Sequence, residues 1–410
     1  MAEKVKRGKD GGEGGVPETG CSRKLRISRR LGELPPYPFA EIDRRVEEKR
    51  RQGVDVINFG IGDPDLPTPP HIVERLCEES RRPENHRYPS YRGMARFREA
   101  AAQWFQGRFG VSLDPGREVL ALIGSKEGIA HFPVAFLDQG DTALVPDPGY
   151  PVYRNATILC GGLPVVLPLD EERGYLPDLG ALGASLLERA RLLFLNYPNN
   201  PTAAVADIAH FEELVHYARK YDLIIAHDNA YSEITYDGYQ APSLLEVKGA
   251  KEISVEFHSL SKTYNMTGWR VGFAVGGEEL ISALGKVKTN VDSGVFNAIQ
   301  LAAVAALEGP QECVRESCEA YRRRRDILVS SLRSLGWEVH PPKATLYLWM
   351  RVPRGYDAES FTGELLEKAD VVVVPGTAYG AHGEGYVRFS LTLPDDRLQE
   401  GAERIRRAFS

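Results

Sequence analysis

An α/β fold with a mostly parallel sheet is what this sequence predicts, on three observations. Seven short apolar runs of strand length recur along the middle of the chain, stretches with apolar residues three and four apart lie between most of them, and the connections are short. The candidate strands are 119–123, 142–146, 163–167, 192–195, 223–227, 253–257 and 271–275, and the clearest helical patterns are 127–137 and 208–220. Residues 1–24 are charged and glycine-rich, with too little apolar matter to form a core, and are expected to be a disordered tail. Residues 25–58 are expected to form an N-terminal arm and part of a small domain, and 59–300 a large domain. After Leu301 the pattern changes. A long charged helix through EAYRRRRDILVSSLRSLG is followed by candidate strands WEVHPP, TLYLWM, VVVVP and YVRFSLT, which predicts a smaller α+β domain over 301–410.

Composition narrows the function. With 410 residues, 42% hydrophobic and 26% charged, the chain is long enough for two domains. A net charge of -6 argues against nucleic acid, which selects clustered Lys and Arg, so a small-molecule partner is expected. The five cysteines (Cys21, Cys77, Cys160, Cys313, Cys318) are scattered without a CxxC pair, supporting neither a disulfide framework nor a zinc site. Reduced thiols in a cytoplasmic protein are the expectation. The charged start is not followed by an apolar stretch, as a secretory signal would be, and runs such as ADVVVVPG are too short to cross a bilayer.

Lys262 is the first candidate for chemistry. It sits between small hydroxyls in HSLSKTYNMTGWR, with Ser259 and Ser261 before it and Arg270 eight positions on. An amine that forms an imine, beside hydroxyls and a guanidinium that hold a phosphate, suits a phosphate-bearing aldehyde, which describes pyridoxal phosphate. A solvated surface lysine is the competing reading. Asp228 ends the apolar run DLIIAHD, so its carboxylate should emerge at a strand's C-terminal edge, where it can keep the cofactor's pyridine nitrogen protonated. A helix-capping aspartate is the alternative. Tyr231 and Asn200, the latter in NYPNNPT, can donate to the ring's 3-oxygen; a turn asparagine before proline is the plainer view of Asn200. IGSKEGI (123–129) follows a strand and opens a helix, so its amides and the Ser125 hydroxyl make an anion site, although it lacks the Walker spacing. Tyr150, in PDPGYPVY, is placed either to stack on a ring or simply to pack.

NYPNNPT, HDNAYSE and SLSKTYNMTGWR, in this order and spacing, resemble the fold type I pyridoxal phosphate enzymes, specifically the class I/II aminotransferases, over about residues 25 to 410. The resemblance implies a large domain with a mostly parallel seven-stranded sheet and a smaller α+β domain. It makes Lys262 the catalytic Schiff-base lysine and proton carrier, pairs Asp228 with the pyridine nitrogen, and sets Asn200 and Tyr231 on the 3-oxygen. It places Ser125, Lys126, Ser259, Ser261 and Arg270 at the phosphate, and Tyr150 on the ring. Tyr88 would reach the phosphate of a neighbouring subunit, which implies a homodimer with shared sites, and Arg388 would grip the substrate α-carboxylate.

PPYPFAEID, FGIGDPDLPTP, ENHRYPSYRG, IGSKEGIAH and KTNVDSGVFNAIQ resemble, more narrowly, a branch of that family acting on a diamino dicarboxylic acid with 2-oxoglutarate as amino acceptor. That likeness puts Tyr37, Gly62, Lys126, Tyr150, Asn200, Asn297 and Arg388 near the substrate. Tyr37, Lys126, Glu127, Tyr153 and Asn297 are polar enough to read its distal end, and composition does not choose among them. Rival readings are an aspartate, alanine or aromatic aminotransferase and a lyase on the same scaffold. A transcription regulator of this fold is disfavoured by the acidic charge. One departure is visible: Ala203 stands where the family pattern has glycine, and it is expected to change little.

Overall fold

The computed structural model describes residues 25–35 and 40–410, so the tail to residue 24, Cys21 and Tyr37 lie outside the described residues. Seven strands build the main sheet: β1 (Val119–Leu122), β2 (Thr142–Asp147), β3 (Leu163–Pro168), β4 (Ala190–Asn196), β5 (Ile224–Asp228), β6 (Ser254–Ser259) and β7 (Gly272–Gly276). All seven coincide with the apolar runs in the sequence. Their spatial order is β1-β7-β6-β5-β4-β2-β3. β7 runs antiparallel to both β1 and β6, and the remaining pairs are parallel. Central strands read as near-continuous apolar runs because helices cover both faces, and β1 and β7 are buried at every residue. β1 forms one edge of the sheet and β3 the other, where Leu163 and Val166 are exposed and Pro164 and Pro168 cannot donate to another strand.

Helices Ser125–Phe136 and Ile208–Lys220 lie where the apolar spacing predicts them. The second is capped by Asp207, whose side chain accepts from the His210 amide. On one face of the sheet Phe132 meets Phe257 edge-on with centroids 5.5 Å apart; elsewhere Phe97 meets Phe273 at 6.3 Å.

The smaller domain is an antiparallel sheet of β8 (Tyr347–Arg351), β9 (Val374–Pro375) and β10 (Tyr386–Ser390) in the order β9-β10-β8. Helices Glu312–Arg333, Ala358–Ala369 and Asp395–Phe409 pack on it around Leu328, Leu348, Phe361, Phe389 and Leu398. Ile57–Asn58 pairs in parallel with Val371–Val372, so a segment from early in the chain is sewn to this unit. Two expectations change here. WEVHPP (337–342) is not a strand: Pro341 and Pro342 have no N–H for a ladder, and Trp337 instead packs on Phe361 and Phe409. VVVVP is split at Val373 into two short strands that pair with different partners. Among the described residues no helix is long and apolar enough to cross a membrane.

The expectation for Ala203 also fails. Its φ is 59°, inside the left-handed region where a Cβ crowds the following carbonyl, so the turn after Asn200 is strained by its side chain.

Candidate active site

The C-terminal ends of β4, β5 and β6 and the first turn of helix Ser125–Phe136 open onto a cavity of about 550 Å³, closed on the far side by the smaller domain. Strand register brings the chemistry there. Asn196 pairs with Asp228 across β4 and β5, so residues 32 positions apart end side by side.

Asp228 is 7% exposed. Its Oδ2 accepts a 2.9 Å bond from the Tyr153 hydroxyl, while Oδ1 is buried and makes no hydrogen bond among the described residues. Burial pushes its carboxyl up to about 6, against the pull of the Tyr153 hydroxyl. A buried carboxylate oxygen facing a cavity without a donor calls for a cationic N–H from a ligand.

The NYPNNPT loop is braced by its own amides. Asn196 Oδ1 accepts from the Asn200 amide at 2.7 Å, Asn196 Nδ2 donates to the Asp228 carbonyl at 2.7 Å, and Asn199 Oδ1 accepts from the Thr202 amide at 3.0 Å. Asn200 Oδ1 in turn accepts from Arg388 Nη1 at 2.9 Å, which leaves the Asn200 amide nitrogen as the group to donate into the cavity. The Tyr231 hydroxyl is 2.8 Å from that of Tyr347.

Lys262 is not a surface lysine. It lies on the short helix Leu260–Thr263 that follows β6, lines the cavity, and donates from Nζ to the Gly62 carbonyl at 2.8 Å. Nearby is a cradle for an anion. Ser125 begins a helix of 12 residues whose first amides have no helical partners, and the Ser261 hydroxyl is buried without a partner among the described residues. Ser259 and Lys126 line the same corner, where Lys126 Nζ lies 5.7 Å from the centroid of the Tyr150 ring. Arg270, held by its own bond to the Thr267 carbonyl at 2.7 Å, presses its guanidinium against Gly124; a Cβ at that glycine would collide with it.

Arg388 comes from β10, is 4% exposed and forms no ion pair among the described residues. Nη2 donates to the Gly60 carbonyl at 2.7 Å, Nε is buried without a partner, and the guanidinium lies 4.1 Å over the Tyr347 ring. A buried cation with an uncommitted N–H is placed to receive a carboxylate.

Other sequence candidates fall elsewhere. Tyr88 is 87% exposed, and neither it nor Asn297, at the start of helix Asn297–Glu308, lines the cavity of this chain. Glu127 is committed to Lys288 at 3.1 Å, His131 at 2.8 Å and the Ile123 amide at 3.0 Å, and Tyr153 to Asp228, so both serve the frame rather than reading a substrate's distal end. Glu127, His131 and Asp292 cluster as metal ligands do, but Lys288 Nζ already bridges the two carboxylates, 2.8 Å from Asp292.

Sequence reasoning missed several supports. Behind Asp228, Glu256 is fully buried between His227 Nδ1 at 3.0 Å and His258 Nε2 at 2.7 Å. Burial opposes its ionisation, yet the two imidazoles and the bonds from Ser243 and the Leu244 amide outweigh that and hold it well below the usual carboxylate range. Acid and imidazole at alternating positions of adjacent apolar strands was the available signal. Tyr347 gave none, because its partners are distant in sequence.

The family described as aminotransferase class I and II matches residues 54–405. This chain belongs to that family. An LL-diaminopimelate aminotransferase of Moorella thermoacetica is 56% identical over 383 residues, covering 93% of this chain and 98% of that protein. One of Aquifex aeolicus is 53% identical over 380 residues, with the same coverage of each. Among solved structures, substrate-bound BacF of Bacillus subtilis superposes with a TM-score of 0.89 at 38% identity, covering 93% of this chain and 98% of its own. A probable N-succinyldiaminopimelate aminotransferase of Thermus thermophilus gives 0.86 at 41% identity, with 90% and 99% covered. The aminotransferase is thus a pyridoxal-phosphate-dependent transaminase acting on amino and 2-oxo acids. Its cavity suits that cofactor: an unpartnered buried carboxylate oxygen lies at one end and a glycine-floored cationic cradle at the other.

Proposed function

We propose that this aminotransferase interconverts LL-2,6-diaminopimelate plus 2-oxoglutarate with tetrahydrodipicolinate plus glutamate, a step of lysine biosynthesis. The observation that carries this reading is identity above one half, over nearly the whole length of both chains, to enzymes of that name from several bacteria.

Pyridoxal phosphate, when bound, supplies the electron sink that makes the substrate Cα–H acidic. Ser125, Lys126, Ser259, Ser261 and Arg270 would hold its phosphate, with Tyr88 of the partner subunit. Asp228 would charge its ring nitrogen, Tyr150 would cover a ring face, and Asn200 and Tyr231 would donate to its 3-oxygen. Arg388 receives the substrate α-carboxylate through its free edge, which fixes the Cα toward Lys262. Lys262 supplies the amine that would bond the cofactor in the resting enzyme. Its amine, when not bonded to the cofactor, would carry the proton from the substrate Cα, and the Gly62 carbonyl, 2.8 Å from Nζ, would help to hold it. Tyr37, Gly62, Lys126 and Asn297 are assigned to the substrate, Asn297 from the second subunit.

The homodimer is supported by a patch of exposed apolar residues. Tyr88, Tyr91, Val291 and Phe296 lie on adjoining segments, where His86 and Phe296 rings are 6.5 Å apart. Cys77, Cys160, Cys313 and Cys318 are all free, which fits a reducing cytoplasm.

Steady-state turnover of LL-diaminopimelate with 2-oxoglutarate, beside aspartate, alanine and phenylalanine as donors, tests the reading. Parallel double-reciprocal lines and a preference for the diamino acid are expected. Equal or better turnover of the simple donors would overturn the substrate assignment.

A further inference from the structure

Tyr347 touches two parts of the site at once, Arg388 and Tyr231. It leads β8 and its side chain is buried in the cavity wall. Three contacts of different kinds define it. The Arg388 guanidinium lies 4.1 Å from its ring centroid. Its hydroxyl is 2.8 Å from the Tyr231 hydroxyl, and either oxygen is able to be the donor. That hydroxyl also rests against Gly62, where a Cβ would strike it, so the site is built around the phenol.

A phenol has one proton to give. If Tyr231 gives its own to the cofactor 3-oxygen, the proton shared by the two tyrosines must come from Tyr347, and the direction of the chain is fixed: Tyr347 to Tyr231 to the 3-oxygen. Successive hydrogen bonds in a low-dielectric pocket polarise one another. A cation on the ring face draws electron density from the Tyr347 phenol and strengthens its donation.

We propose that Tyr347 is a positioning residue that couples Arg388 to the cofactor 3-oxygen through Tyr231, so that a carboxylate bound at Arg388 changes how firmly the 3-oxygen is held. The inference rests on the roles given above to Tyr231 and Arg388. Neutralising the guanidinium weakens the pull on the Tyr347 phenol, Tyr231 becomes a weaker donor, and the cofactor takes up a proton more readily. The contact of Arg388 with Asn200, at 2.9 Å, is a parallel route, so loss of Tyr347 reduces the coupling without abolishing it.

Tyr347→Phe keeps the ring beneath Arg388 and removes only the hydroxyl. The holoenzyme is titrated with pH while the absorbance of the bound cofactor is followed, with and without saturating glutarate, a dicarboxylate that has neither amino nor oxo group to react. The midpoint should rise by roughly half to one unit in Tyr347→Phe, the size of one hydrogen bond's net contribution. Tyr231→Phe should raise it at least as far, the double variant should match Tyr231→Phe alone, and the upward shift caused by glutarate should be smaller in Tyr347→Phe than in the parent. Replacing Tyr347 with 3-fluorotyrosine, a more acidic phenol, should move the midpoint down, which guards against a folding defect in the phenylalanine variant. The inference is overturned if Tyr231→Phe moves the midpoint and Tyr347→Phe does not, or if the Tyr347→Phe shift persists in the Tyr231→Phe background. A midpoint unmoved by Tyr231→Phe would remove the assignment of Tyr231 to the 3-oxygen, and this inference with it.

Discussion

Burying Asp228 without a cationic partner is unfavourable for the cofactor-free chain, and this sets a pH dependence whose sign is fixed. Its folded carboxyl is raised to about 6, above the value of about 3.9 for a free aspartate, so the group favours the folded state at acid pH and that contribution is lost as pH rises through 6. Two units correspond to about 3 kcal/mol. Asp228→Asn should therefore make the cofactor-free enzyme more stable near pH 8, by up to about 3 kcal/mol, while lowering kcat by roughly a hundredfold or more. Urea unfolding of both forms at pH 5 and pH 8 checks the first part, and a stability gap that does not widen with pH refutes it. Ala203 offers a second residue-scale test. Since its φ is 59°, Ala203→Gly should stabilise the protein by about 0.5–1 kcal/mol and leave kcat unchanged, as read by thermal melting and turnover. The sequence showed the missing glycine but not the backbone angle, so it could not say whether alanine was harmful there.

The strand-turn-helix that carries Gly124 and Ser125 shows what element-level reasoning reaches. Seven apolar runs bounded by turns were enough to place the main sheet, because strands buried on both faces leave an uninterrupted apolar signal. The motifs at their C-terminal ends then located the cavity side chains. In the smaller domain the same reasoning misread 337–342, where two prolines outweigh the apolar character of Trp337 and Val339. The Tyr231–Tyr347 contact was invisible for a different reason: its members are 116 positions apart and lie in different domains, and no local pattern encodes their meeting. Gly124 also provides a prediction at this scale. Gly124→Ala would drive a Cβ into the Arg270 guanidinium and strain a φ of 76°, so cofactor affinity should fall roughly tenfold or more while the apo fold persists. Fluorescence titration with pyridoxal phosphate measures it, and unchanged affinity would show that Arg270 is free to move aside.

For the whole molecule, the proposed sharing of sites between two subunits makes a distinct demand on mixtures. Lys262→Ala and a charge-bearing Tyr88→Asp should each be nearly inactive alone. Refolded together, they should recover activity in heterodimers, where one site combines an intact Lys262 with an intact Tyr88 from the other chain. Recovery toward roughly a quarter of the wild-type rate is expected for random pairing of equal amounts. No recovery, with dimers confirmed by sedimentation, would mean that Tyr88 serves its own chain.

The segment from Phe59 to Asp65 is fastened to the smaller domain at Phe59, Gly60, Ile61 and Asp65. The Phe59 carbonyl accepts from the Ser390 amide at 2.7 Å, the Gly60 carbonyl from Arg388 at 2.7 Å, the Ile61 carbonyl from Thr392 Oγ1 at 2.7 Å, and Asp65 takes both guanidinium nitrogens of Arg324 at 2.7 and 2.9 Å. The carbonyl that meets Lys262 and the Arg388 guanidinium are thus mounted on one jaw. If that jaw swings against the sheet, both advance or withdraw together, so the carboxylate grip proposed for Arg388 and the support proposed for the Lys262 amine would be geared to a single movement.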